Sequence, residues 1–264
     1  MNPPGLRPVH SVAGRTLTVR RCPVALPPEA QTVFAGSARV GARECRVRCL
    51  ATPDCDFLEI SGAGAFAIPR QQDCIEVDPE PGAERAVEEA LLGPAFALAL
   101  ARRGVFLLHA SAVVLSGGVI GFLGESGAGK STLARLLTEV GEGVALAADD
   151  LLAVEGAFAL PHFPQLKLDT AATAAIAGLE PRYPLLGLYE LASAEAVGTE
   201  ALPPVSAAAL LLRHTIAGRL FDSDLLAAQL DFAAGLAGRV PVRRLSVPRR
   251  MDVGGEVLRL LNQL

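Results

Sequence analysis

The spacing of apolar and polar positions changes character twice along this chain. In the first eighty residues, short runs alternate between apolar and polar side chains and are separated by Gly, Pro and Asp, at 16–21, 42–50, 57–60, 65–68 and 74–77. A period of two is that of a half-buried strand, so this stretch predicts a small β-rich region that ends at Pro79-Glu80-Pro81-Gly82. Residues 83–103 then carry helical spacing, interrupted at Gly93-Pro94 because proline removes a backbone donor and crowds the preceding turn. From Val105 onward fully apolar runs alternate with helical patterns. The runs at 105–108, 112–115 and 119–123 read as buried strands, and Leu133, Leu136, Leu137 and Val140 fall at i, i+3, i+4 and i+7 of a helix. Ser116-Gly117-Gly118, caught between two apolar runs, predicts a tight hairpin and hence an antiparallel neighbour for the 119–123 strand. A further buried run, 144–148, ends in Asp149-Asp150, with strand candidates at 151–154 and 158–160 beyond it. Helices are expected at 206–216 and 223–236, a strand at 240–245 and a closing helix at 256–264. The expected organisation is a β-rich region over 1–82 and an α/β domain with a mixed sheet over 83–264.

Composition narrows this picture without changing it. At 264 residues and 51% hydrophobic content the chain can fill a sizeable core, and 24 Lys plus Arg against 28 Asp plus Glu give no basic field for nucleic acid or an anionic membrane. The longest apolar stretch, 91–101, is too short to span a bilayer, and the start lacks a charged segment followed by an apolar one, so a cytoplasmic location is expected. Five cysteines lie in the first third, with no C-x2-C pair and the wrong spacing for zinc. Cys45, Val47 and Cys49 alternate with Arg46 and Arg48, which places both thiols on the apolar face of a strand as small hydrophobes.

The chemistry concentrates after the hairpin. Gly124-Glu125-Ser126-Gly127-Ala128-Gly129-Lys130-Ser131-Thr132 fits the phosphate-binding pattern G-x-x-x-x-G-K-[ST]. Lys130 is one of only two lysines in a chain whose other basic residues are arginine, so its position is no by-product of composition. A phosphate loop needs a compact ammonium, glycines that let backbone N–H groups approach the phosphates, and a hydroxyl for Mg²⁺ at the start of a helix. Lys130, then Gly124, Gly127 and Gly129, then Ser131 supply these in turn. Phosphoryl transfer also needs a carboxylate for the metal and one for the acceptor, which Asp149 and Asp150 can provide.

Leu108-His109-Ala110-Ser111-Ala112-Val113, the hairpin, the glycine-rich loop and Ala148-Asp149-Asp150 together resemble the HPr serine kinase/phosphorylase family. The resemblance implies a phosphate-loop core related to phosphoenolpyruvate carboxykinases, which uses ATP and Mg²⁺ to phosphorylate a seryl hydroxyl. By position, Lys130 matches the loop lysine and Ser131 the metal-linked hydroxyl. Asp150 matches the carboxylate that accepts the seryl proton, Asp149 its metal-side partner, and His109 the active-site histidine. The match covers about 105–154. The family's later glycine-rich segment and its usual N-terminal domain are not found in this chain. These departures favour the shorter relatives that include tailoring kinases of lasso-peptide precursors, with a serine-bearing peptide or protein as partner and a homo-oligomer left open. HPr itself, free serine as acceptor, and a non-catalytic nucleotide-dependent binding module are the alternatives. His162 and Lys167, in a proline-and-aromatic segment, and Arg213, His214 and Arg219 are further candidates for phosphate contacts, none of them singled out.

Overall fold

The computed structural model describes residues 9–12, 15–41, 43–164 and 170–263. Contacts divide the chain into two compact units, 1–104 with 216–228, and 105–215 with 229–264. The expected break at 79–82 lies inside the first of them. Among the described residues no helix is long and apolar enough to cross a membrane.

The first unit is built on a seven-stranded mixed sheet. Its strands are β1 (Val9–Val12), β2 (Arg15–Arg21), β3 (Gln31–Val40), β4 (Arg43–Ala51), β5 (Cys55–Ile60), β6 (Gly64–Pro69) and β7 (Cys74–Pro79), in the order β1-β2-β7-β6-β5-β4-β3. Only β2 and β7 run parallel. The alternation read from sequence is realised in β4, where Cys45, Val47 and Cys49 are buried and Arg46 and Arg48 exposed. Burial pushes the Cys49 thiol up to about 12, so it stays protonated, as a packed hydrophobe should. β3 carried no clear pattern because this edge strand is largely exposed and its middle is Ala35-Gly36-Ser37-Ala38. Helices α1 (Glu84–Ala90) and α2 (Phe96–Ala101) flank a π-helical turn in which Gly93 leaves helical geometry just before Pro94, the interruption expected there. Beside them Arg70 and Arg102 meet Asp56 and Asp222 at 2.6–2.8 Å.

The second unit is also a seven-stranded mixed sheet, this time covered by helices on both faces. It comprises β8 (Val105–Leu115), β9 (Gly118–Leu123), α3 (Lys130–Val140), β10 (Ala145–Glu155), β11 (Phe158–Leu160), α4 (Thr170–Ala177), β12 (Tyr183–Ser193), β13 (Gly198–Ala201), α5 (Pro204–His214), the second half of α6 (Ser223–Ala237), β14 (Val242–Val247) and α7 (Gly254–Leu261). The sheet order is β11-β10-β8-β9-β12-β14-β13. One face packs Leu108, Ala110, Leu152 and Leu188 against Leu210 of α5 and Leu236 of α6; the other packs Val113, Phe122 and Leu245 against Leu137 of α3 and Val257 of α7. Of the four apolar α3 positions, Leu133, Leu136 and Leu137 are buried, whereas Val140 at the last turn is exposed.

Two sequence expectations about this sheet are revised. The runs at 105–108 and 112–115 are one eleven-residue strand, and the separate strands expected at 144–148 and 151–154 are likewise one strand that passes through the acidic pair to Glu155. The cause is the long antiparallel ladder between β8 and β10, from Ala145 opposite Val114 to Glu155 opposite Val105, with one bulge between Leu146 and Ala148. The hairpin from β8 to β9 is as expected. Ser116 and Gly117 both adopt positive φ, +52° and +81°, which is the demand of a two-residue primed turn.

Candidate functional site

Strand β9 delivers the chain to the loop Gly124–Gly129, and α3 leaves it. Gly127 and Gly129 sit at φ +83° and +95°, where any side chain would be strained, so the glycines are required by backbone conformation. Gly129 caps α3 without a side-chain hydrogen bond, and the first turn of an eleven-residue helix presents N–H groups that intrahelical bonds cannot use. Lys130 opens the helix and is buried. Its Nζ donates to the carbonyls of Gly124 at 2.7 Å and Glu125 at 3.1 Å, so the ammonium is curled beneath the loop rather than spread into solvent.

The acidic pair stands across from β8. Asp149 faces Ser111 in register, and Ser111 Oγ donates to Asp149 Oδ1 at 3.0 Å. Ser111 Oγ is also 3.4 Å from Ser131 Oγ, which ties the strand pair to the first turn of α3. Asp150 is opposite Ala110, and strict alternation would send its side chain to the far face with that alanine. Its φ of +105° breaks the alternation, and the carboxylate comes to 3.7 Å from Nε2 of His109. A non-glycine residue held in this region costs on the order of 1–3 kcal/mol, a strain that recurs at functional sites.

Three cavities share Thr132 in their walls. A polar one of about 260 Å³ is lined by His109, Ser111, Asp150 and the loop residues Ser126, Gly127, Gly129, Lys130, Ser131 and Thr132. The second, about 380 Å³, shares Gly127, Gly129 and Thr132 with it but is otherwise walled by Ala128, Leu133, Leu136, Leu191, Val247, Pro248 and Met251, with Arg249 and Arg250 at the rim. A third, about 440 Å³, lies along α3 and includes Ser131, Thr132, Arg135, Glu139 and Asp149.

Most of the residues singled out from sequence therefore converge. His109, Lys130, Ser131 and Asp150 share one cavity, Asp149 borders the adjoining one, Ala128 faces the apolar one, and Gly124 contributes the carbonyl that holds Lys130. His214, at the end of α5, is buried. Burial lowers its pKa, Glu125 opposes the shift, and the charges of His109, Lys130 and Arg213 reinforce it. Arg213 is exposed, Arg219 belongs to the first unit, His162 Nε2 lies 2.9 Å from the carbonyl of Leu179, and Lys167 lies outside the described residues. Sequence reading assigned no role to Ser111, Arg135 or Arg249. The only local signal is a serine among apolar residues at 110–113, which the structure then buries fully.

No family model matches the chain, and no curated protein does. Among solved structures it is similar to the HPr(Ser) kinase/phosphatase from Coxiella burnetii, at 14% identity over 60% of this chain and 94% of that one, with a TM-score of 0.31. A likeness at that score carries no argument. What stands is a mixed α/β protein with two mixed sheets, and the chemistry rests on the site itself.

Proposed function

We propose that this chain is an ATP- and Mg²⁺-dependent kinase with an HPr-kinase-like phosphate-loop core, acting on a seryl hydroxyl of a peptide or protein, with a lasso-peptide precursor as the first acceptor to examine. The observation that carries the reading is the polar cavity in which a glycine-rich loop, a buried lysine and an Asp–His pair face one another. Loop N–H groups and Lys130 suit a triphosphate there. The neighbouring apolar cavity, which shares Gly127, Gly129 and Thr132 in its wall, suits the nucleoside that would follow from the same ligand.

The residues also fit a magnesium ion. Among the described residues no three His, Cys, Asp or Glu side chains cluster to hold a metal alone, but Mg²⁺ commonly takes one or two protein oxygens together with water and substrate phosphate. Ser131 Oγ and the Asp149 carboxylate are hard oxygen donors on the two sides of Ser111. When bound there, the ion would supply charge neutralisation to the phosphate oxygens.

In this reading Asp150 accepts the seryl proton as the seryl oxygen forms its bond to the γ-phosphorus and the bond to the leaving diphosphate breaks, giving ADP and phosphoserine. His109 holds the Asp150 carboxylate toward the acceptor, and Lys130 balances charge at the loop. Intact-mass spectrometry after incubation with Mg²⁺-ATP tests this, with HPr, a serine-bearing lasso precursor and free serine offered in parallel. A phosphoryl increment on the precursor is expected. No increment on any acceptor in samples that bind ATP would contradict the kinase reading.

A further inference from the structure

Asp149 is buried, and both of its carboxylate oxygens are engaged: Oδ1 accepts from Ser111 at 3.0 Å and Oδ2 lies 3.5 Å from Nη2 of Arg135. The two partners differ in kind. Ser111 is fully buried in the middle of β8, whereas the Arg135 side chain is 61% exposed. Arg135 stands four residues beyond Ser131 on α3 and so shares its helix face, while Glu139 follows one further turn along and offers a second carboxylate. The cavity of about 440 Å³ opens where these groups meet solvent, which gives the guanidinium room to move.

We propose that Arg135 is a displaceable counter-ion which competes with a divalent cation for Asp149 and so sets the cation affinity of the site. The inference rests on the assignment of Ser131 and Asp149 as cation-side oxygens. Of the two groups on Asp149, Arg135 is the one that can leave: its contact is long, screened by solvent and not locked by packing. Ser111 stays, because its hydroxyl is enclosed and bridges toward Ser131. A carboxylate that spends part of its time paired with Arg135 is available to a cation for only the remaining fraction, and the apparent affinity falls by that fraction. Exposed pairs of this kind predict an effect of about two- to fivefold. A merely structural Arg135, holding Asp149 in place, would produce the opposite sign.

The test is a Mn²⁺ titration of the full chain followed by electron paramagnetic resonance, with and without ADP, with ADP binding measured separately by fluorescence. Arg135→Gln is expected to bind Mn²⁺ about two- to fivefold more tightly than wild type, Arg135→Lys to stay near wild type, and Asp149→Asn to lose most binding. The gap between wild type and Arg135→Gln should narrow at high salt, because an exposed pair is screened. Unchanged or weaker Mn²⁺ binding by Arg135→Gln overturns the competition while leaving the kinase reading intact. A wild type that binds ADP but no Mn²⁺ overturns the cation assignment, and the competition with it.

Discussion

The two units handle buried charge in opposite ways. In the first, Asp56 is 2% exposed and both it and Asp222 are met by two guanidinium groups, Arg70 and Arg102, at 2.6–2.8 Å. Burial would raise the Asp222 carboxyl, but hydrogen bonds from Arg102 and from the backbone N–H of Leu225 hold it down at about 2. In the second, Asp149 is nearly as buried yet has one hydroxyl and one long contact to an exposed arginine, and Asp150 has a histidine at 3.7 Å and a strained backbone. A closed ion cluster fixes structure, because each charge needs the others. Asp149, held by a hydroxyl and by one long contact to an exposed arginine, borders a cavity instead of sitting in a closed cluster.

Asp56→Ala leaves two guanidiniums facing Asp222 alone and should cost about 3–5 kcal/mol of stability in denaturant unfolding, whereas Arg135→Gln, which breaks an exposed pair, should cost less than about 1 kcal/mol. Equal costs would remove the distinction between the clusters. Asp150→Gly should be more stable than Asp150→Ala by about 1–3 kcal/mol, since both lack the carboxylate and only glycine tolerates φ +105° without strain. If the alanine variant is as stable, the conformation is not strained.

The smallest effect is in pH. Because burial lowers the His214 pKa, the unfolded chain takes up its proton first as pH falls below the ordinary value of 6.5. The stability associated with neutral His214 is therefore complete above that pH and is lost on acidification toward the depressed folded value. His214→Asn should flatten the stability profile in that window, and an unchanged slope would place the histidine in a more solvated setting.

Much of this arrangement was legible because the loop and its flanking elements obey local rules. Period-two runs marked β2 and β4 to β7, a Ser-Gly turn marked the β8–β9 hairpin, and the glycines and Lys130 marked the loop. What escaped depended on long-range pairing. His109 and Ser111 interrupt an apolar run and split β8 into two in the reading, yet the ladder to β10 carries the strand straight through them. Strand β12 went unread because Pro184 and Gly187 break its pattern, although pairing with β9 and β14 makes it central. The side of the strand to which Asp150 turns follows from its positive φ, which no residue pattern encodes. With 22 arginines in the chain, nothing local distinguished Arg135 or Arg249 from the rest.

In the proposed function Asp150 serves the transfer step rather than nucleotide binding or folding. Wild type and Asp150→Asn should be compared by the initial rate of phosphoryl incorporation into the acceptor, read by intact mass, with ATP affinity measured on the same preparations. Asp150→Asn is expected to transfer at a rate lower by roughly a hundredfold or more, as for loss of a general base, with ATP affinity within about threefold of wild type, because the proposed function gives the nucleotide phosphates to the loop and not to Asp150. Transfer at a near wild-type rate by Asp150→Asn would contradict it.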